Sequence, residues 1–304
     1  MHAVDSHGIG LVLHPTRDPG PAADTIVAWA RARETDVFVR HEDAHRCPAG
    51  VRAVAEDELS AHVQALLSIG GDGTMLGALR LVVGRDVPVL GVNLGKLGFL
   101  IEVEPDELDG ALDRLERGDF TIEPHSALLV EGPGLETAGF NEMAITRIPG
   151  EGIVHAQLRV GGQRIGRMRG DGVVIATPMG STAYSYASGG PVVSPGLDAV
   201  VVTPTASMFG ISRPLVVSTA EPIHLSLLPD SGTAALEIDG ALAERIGPGA
   251  VVEVRLQPSA GLIVRLDHER HQQRTRVKLS LLDLPYLPDE LQELSAREHA
   301  LPER

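Results

Sequence analysis

The chain has 304 residues, 43% of them apolar, a formal net charge of −15 and one cysteine, Cys47. That length suggests two domains, and the acidic balance argues against nonspecific nucleic-acid binding. A single thiol excludes an intrachain disulfide and a cysteine metal cluster, and no apolar stretch is long enough to span a bilayer.

The first residues, Met1-His2-Ala3-Val4, carry no basic-then-apolar leader, which predicts a cytoplasmic protein. Residues 8–13 are apolar and strand-like, and 21–33 read as a helix with a proline near its first turn. A short strand is expected at 37–39 and a second helix over 51–59. The apolar run 65–69 reads as a buried strand, and Met75, Leu76, Leu79, Val82 and Val83 have helical spacing. A strand at 87–92 and a helix from 105 to 118 follow, with Asp106 and Glu107 favouring the first helical turn. This alternation predicts a mostly parallel sheet with helices on its faces.

After about residue 123 the texture changes. Strand-like runs fall at 127–131, 139–146, 154–160, 172–177, 199–203, 215–218, 223–228, 234–238, 251–256, 262–266 and 276–281, with turn residues between them. The fold expected is therefore a Rossmann-like α/β domain over 1–123, an all-β domain of sandwich type over 124–281, and a polar tail over 282–304 packing back on the first domain.

Between the strand at 65–69 and the next helix lies Gly70-Gly71-Asp72-Gly73-Thr74. Glycines at a strand-to-helix turn let backbone N–H groups approach a phosphate, and the helix N-terminus adds partial positive charge. An aspartate there suits a general base or a metal ligand. The loop is a candidate phosphoryl-transfer site, against the plainer possibility of a tight turn. It is not a Walker loop, because no Gly-Lys-Ser/Thr follows, and Leu76 breaks the dinucleotide spacing.

The second half carries a different signature. Residues 152–170 hold four arginines (159, 164, 167, 169) and no acid. Asp171 follows, and residues 172–197 hold no charged residue. Inside that stretch, Thr177-Pro178-Met179-Gly180-Ser181-Thr182-Ala183-Tyr184-Ser185-Tyr186 reads as a strand, a sharp turn and a short helix capped by Ser181 or Thr182. Its hydroxyls and N–H groups could meet a polar ligand, and a tyrosine face could pack on a base. Asn141-Glu142 could read a base edge and a ribose hydroxyl, although such a pair is also an ordinary solvated turn.

Taken together these motifs resemble the ATP-dependent NAD kinases. The matching elements are residues 70–74, the run Gly91-Val92-Asn93-Leu94-Gly95-Lys96-Leu97-Gly98-Phe99-Leu100, Asn141-Glu142, and 171–190 with its Thr-Ala-Tyr core. Ser212-Arg213-Pro214-Leu215 and Ile238-Asp239-Gly240 follow in the family's order. The resemblance implies that Asp72 is the base for the adenosine ribose 2′-hydroxyl of NAD. It implies that Gly70, Gly71, Gly73 and Thr74 contact phosphates, Gly73 touching NAD as well. Asn141 and Glu142 would grip the adenosine half. His155, Arg169, Asp171, Thr182, Ala183, Tyr184 and Ser185 would line the dinucleotide pocket. It further implies ATP or polyphosphate as donor, a divalent cation such as Mg²⁺ and a homodimer or homotetramer, with no nucleic acid or membrane partner.

The chain departs from the family pattern at Met179, at Ala241, over 205–211 and over 271–279. Two alternatives remain beside the kinase expectation: a diverged, non-catalytic dinucleotide-binding regulator, and a lipid or other small-molecule kinase sharing the Gly-Gly-Asp-Gly loop. The second leaves Asn141-Glu142 and Thr182-Ala183-Tyr184 without a task.

Overall fold

The computed structural model describes residues 8–94, 98–218 and 221–267. The expected strand at 276–281, the tail at 282–304 and the departure over 271–279 lie outside them.

The first part of the chain runs β1 (Gly8–Leu13), α1 (Gly20–Arg31), β2 (Asp36–Arg40), β3 (Val51–Val54), α2 (Glu56–Leu59), β4 (Ala65–Gly70), α3 (Asp72–Leu81), β5 (Pro88–Asn93) and α4 (Leu108–Arg117). The strands are parallel in the order β3-β2-β1-β4-β5. Every residue of β1 and β4 is buried, as strands covered on both faces must be. On one face Ile26, Val27, Leu108 and Leu112 of α1 and α4 meet the sheet. On the other, Met75, Leu76 and Leu79 of α3 do so.

The expected helix over 51–59 is corrected. Val51–Val54 pairs in parallel with β2 at the sheet edge, and only Glu56–Leu59 is helical. The two β-branched valines suit a pleated edge, and the pairing satisfies the backbone groups of β2 that a helix would leave open.

From β1 the connections run outward through β2 and β3, then return to place β4 on the other side of β1. Strand order therefore reverses between β1 and β4, and a crevice opens beyond their carboxyl ends, the usual ligand position in such sheets.

The second part runs β6 (Thr121–Gly132), β7 (Leu135–Gly139), β8 (Glu142–Arg147), β9 (Val154–Val160), β10 (Gln163–Gly170), β11 (Gly172–Ala176), α5 (Tyr184–Ala187), β12 (Ala199–Thr205), β13 (Phe209–Gly210), β14 (Leu215–Ser218), β15 (Ile223–Leu227), β16 (Ala234–Ile238), β17 (Ala241–Ile246) and β18 (Val251–Arg265). An antiparallel sheet of order β14-β12-β11-β8-β16-β17 faces the segment β13-β10-β9-β15-β18 of the other sheet. Met143, Ile145, Val173 and Ile175 from the former interdigitate with Ala156, Leu158, Leu225 and Val252 from the latter in one core.

The runs at 251–256 and 262–266 are a single strand, β18, with a register irregularity between Gln257 and Gly261. Its first half pairs with β15, while Leu262 and Ile263 pair in parallel with β5. One sheet thus continues from the parallel domain into the antiparallel one. Among the described residues no helix is long and apolar enough to cross a membrane.

Candidate active site

At the end of β4 the chain leaves Gly70 extended and starts α3 at Asp72. Beside this turn lies a cleft of about 790 Å³, at the strand-order reversal, with His14, Gly71, Gly73, Thr74, Gly77 and Arg80 among its lining residues. Thr74 is only 8% exposed, yet its Oγ1 has no hydrogen-bond partner within the protein. A buried hydroxyl of this kind at a helix start suits a ligand oxygen.

Asp72 does not hang free. Its Oδ2 accepts the Phe99 N–H at 2.7 Å and its Oδ1 accepts the Leu100 N–H at 3.0 Å. Gly98 is required for this approach, because a Cβ there would stand 2.0 Å from Oδ1. The clasping loop is fastened in turn by Arg265, 2% exposed at the end of β18, whose Nη1 donates to the Leu100 carbonyl at 3.0 Å and to Glu102 at 3.3 Å. Arg265 also donates to Glu123. Burial pushes the Glu123 carboxyl up, but the hydrogen bond with His125 and the Arg265 charge outweigh it and hold it well below the usual carboxylate range.

The Asn141-Glu142 turn is built on a second carboxylate. Asp239, its side chain 1% exposed, accepts the backbone N–H groups of Phe140 at 3.1 Å, Asn141 at 2.7 Å and Glu142 at 3.2 Å. The same carboxylate pairs with Arg80 of α3 at 2.7 Å. Asp239 and Gly240 form the two-residue turn between β16 and β17, with φ of 47° and 77°. Those signs are what a type I′ hairpin turn demands, and Asp-Gly is a favoured pair for it. From the other side, Thr177 donates its hydroxyl to the Phe140 carbonyl at 2.7 Å and accepts the Gly180 N–H at 3.0 Å. Gly180 lies so close that a Cβ would meet the Asn141 carbonyl oxygen at 1.9 Å.

Glu142 is buried, and its Oε2 finds no partner within the protein. Burial and the nearby charges of Asp239 and Glu237 push its carboxyl up to about 7, against a backbone hydrogen bond from Tyr184. A carboxyl poised near neutrality with one unpartnered oxygen suits a ligand hydroxyl.

The remaining expected residues fall into two groups. Thr182, Ala183, Tyr184 and Ser185 follow the Thr177 turn, and Tyr184 brings them to Glu142. The expected hydroxyl cap is corrected: α5 starts from Ala183 without a side-chain cap. Ser181 instead donates to the Pro178 carbonyl and accepts the Val193 N–H, and Thr182 donates to the Met179 carbonyl, because buried hydroxyls take the backbone groups at hand. Ser185 is fully buried and shares a hydrogen bond with Thr203 at 2.9 Å.

His155 and Arg169 oppose each other across β9 and β10, on the opposite sheet. His155 Nδ1 lies 2.7 Å from Asp230, and that hydrogen bond lowers the Asp230 carboxyl. Asp171 leaves β10 and pairs with Arg147 at 2.6 Å. Of the departures, Met179 packs against the apolar cluster that includes Leu79 and Phe140, while Ala241 is exposed on β17.

The sequence placed Thr177 in the polar turn and Asp239 in a matching motif but gave neither a holding role, and it singled out neither Arg80 nor Arg265. The Asp-Gly dipeptide between apolar runs was a usable hairpin signal. Nothing local announced that its carboxylate would hold a turn nearly a hundred residues away.

The profile of the ATP-NAD kinase N-terminal domain matches residues 24–120, and that of the ATP-NAD kinase C-terminal domain matches 140–266, together most of the chain. The chain belongs to the NAD kinase family. A relative named NAD kinase from Syntrophotalea carbinolica is 33% identical over 271 residues, covering 88% of this chain and 94% of its own. Another from Methanothermobacter thermautotrophicus is 35% identical over 258 residues, covering 84% and 90%.

Among solved structures, a yeast NADH kinase complexed with NADH superposes with a TM-score of 0.79 at 21% identity, covering 92% of this chain and 89% of its own. An NAD kinase from Archaeoglobus fulgidus in complex with ATP superposes with a TM-score of 0.65 at 25% identity, covering 88% and 96%. The chain is thus an enzyme of the NAD kinase family with that family's two-domain fold.

Proposed function

We propose that this enzyme transfers a phosphoryl group from ATP to the 2′-hydroxyl of the adenosine ribose of NAD, producing NADP. The observation that carries the reading is the Asp239 carboxylate, which ties the Asn141-Glu142 turn to α3, the helix that begins with Asp72. A phosphate-facing loop and a polar turn suited to a nucleoside are thereby held on one frame. The relatives named NAD kinase and the ATP complex of the Archaeoglobus fulgidus enzyme support the choice of acceptor and donor.

In this reading Asp72 takes the proton from the ribose hydroxyl. A hydroxyl is a weak nucleophile, and a positioned carboxylate within hydrogen-bond reach raises its reactivity. The Phe99 and Leu100 N–H groups fix the carboxylate and leave each oxygen capacity for another partner. Glu142 holds the adenosine through its open oxygen, and Asn141 contributes beside it. Donor phosphates lie along Gly71, Gly73 and the N-terminus of α3, with the Thr74 hydroxyl as a further contact. Much of the rate comes from holding hydroxyl and phosphoryl group in line.

The residues fit a divalent cation of the Mg²⁺ kind. Among the described residues no three His, Cys, Asp or Glu side chains converge to form a protein cage. Mg²⁺ is commonly bound by one or two carboxylates together with substrate phosphates and water, and Asp72 is the carboxylate at this loop. When bound, the cation neutralises charge on the phosphoryl oxygens.

The direct test incubates purified protein with NAD, ATP and Mg²⁺ and detects NADP with an NADP-specific dehydrogenase. NADP is expected from the wild type, with a loss of about 10²-fold or more in Asp72→Asn and little change in NAD affinity. Wild-type protein that binds NAD but makes no NADP from ATP or polyphosphate is the non-catalytic regulator instead. Full turnover in Asp72→Asn removes the base assignment.

A further inference from the structure

Arg80 stands where two functions of this protein meet. It lines the cleft beside Gly71, Gly73 and Thr74, and its side chain is 31% exposed. Its Nη1 is committed to Asp239, and a guanidinium has five N–H donors arranged as a fork. The rest of that fork is available to an anion on the cleft side. Asp239, almost wholly buried, is the point from which the backbone of Phe140, Asn141 and Glu142 is held.

We propose that Arg80 is shared between the donor phosphates and Asp239, so that occupation of the cleft tightens the grip of Asn141-Glu142 on NAD. The inference rests on the kinase reading above and adds a coupling between its two substrate sites.

The sign of the coupling follows from burial. A phosphate could in principle draw Arg80 away from Asp239. That would strand a buried carboxylate without its cation, which is strongly unfavourable. Bridging keeps the pair and adds a second anion to the same planar fork, a geometry guanidinium supports and ammonium does not. A bridged Arg80 has fewer orientations, so Asp239 and the three N–H groups on it are held more firmly. NAD binding then pays less to order that turn. By thermodynamic linkage NAD must strengthen donor binding by the same factor.

The test is calorimetric titration of the full-length protein with NAD, alone and with saturating Mg²⁺ and a β,γ-imido ATP analogue that transfers no phosphoryl group. The reverse titration of the analogue, with and without NAD, accompanies it. In the wild type each ligand is expected to strengthen the other at least about fivefold, by the same factor in both directions. In Arg80→Gln both ligands still bind, more weakly for the analogue, and the factor falls to unity. In Arg80→Lys one ammonium serves either the carboxylate or the phosphate, and the factor falls to within about twofold of unity; this variant carries the test if Arg80→Gln does not fold.

A merely structural Arg80 would change both affinities and leave the coupling factor alone. An undiminished factor in a folded Arg80 variant therefore overturns the inference, as does a wild type that binds both ligands independently. A wild type that binds no NAD at all refutes the kinase reading instead.

Discussion

Two carboxylates of this protein, in neighbouring parts of one site, live in opposite company. Asp72 is clasped by two N–H groups, whereas Glu142 is buried near Asp239 and Glu237 with one oxygen unpartnered. Burial and like charge therefore push Glu142 up to about 7. A carboxyl whose folded value is raised stabilises the fold while it is protonated, fully so below its unfolded value near 4.5. That contribution is lost as pH rises through about 7. Glu142→Gln keeps the neutral shape at every pH. It is expected to match the wild type near pH 4.5 and to exceed its stability at pH 8 by on the order of 1–3 kcal/mol, measured by urea unfolding of both proteins without ligand. A difference that does not change with pH would remove the buried-acid account. In the proposed reading an NAD hydroxyl meets that oxygen, and the difference is then expected to shrink when NAD is saturating.

At the scale of elements, the alternating first domain was largely legible, because buried parallel strands and amphipathic helices write distinct periods into the sequence. The error at residues 51–59 came from a short exposed edge strand running straight into a short helix, where neither period has room to show. In the second domain most of the missed strands were exposed ones. β10 carries Arg164, Arg167 and Arg169 on an exposed face, and β17 is exposed over all but its last residue. Such strands form because a neighbour offers backbone hydrogen bonds, and no apolar alternation records that. The sequence singles out Asp72, Asn141 and Glu142 because each stands in its own recognisable motif. What the sequence does not show is the holding of distant backbone by Asp239, Thr177 and Arg265. Arg265 gives a sharp test of such remote support. Arg265→Met keeps most of the volume but removes the guanidinium shared by Glu102, Glu123 and the Leu100 carbonyl. It should cost about 3–5 kcal/mol in denaturant unfolding and should lower turnover more than NAD affinity, since the loosened loop is the one that orients Asp72. Unchanged turnover in the folded variant would separate the loop from catalysis.

For the molecule as a whole, β18 decides how the two domains behave together. One end of it lies in the antiparallel core and the other closes the parallel sheet beside β5. Between them it pairs with β6 along almost its full length. Neither domain can lose its structure without opening an edge of the other, so unfolding should be a single cooperative event. Differential scanning calorimetry is expected to give one peak, with a van't Hoff enthalpy close to the calorimetric one. Two resolved transitions would show that the shared strand does not couple the domains. The same continuity explains why Arg80 of the first domain and Asp239 of the second can keep a 2.7 Å contact without a separate interface to maintain it.

Tips of β-hairpins are ordinarily the places where a chain accepts extra residues. The turn at Asp239-Gly240 inverts that expectation. Its two residues set the register of β17 and also fix the height at which one carboxylate stands above the sheet. One inserted residue would leave the hairpin able to form and carry the carboxylate out of reach of its three N–H partners. A short turn that looks editable is thus among the least editable positions in the molecule, and it must preserve its length as well as its aspartate.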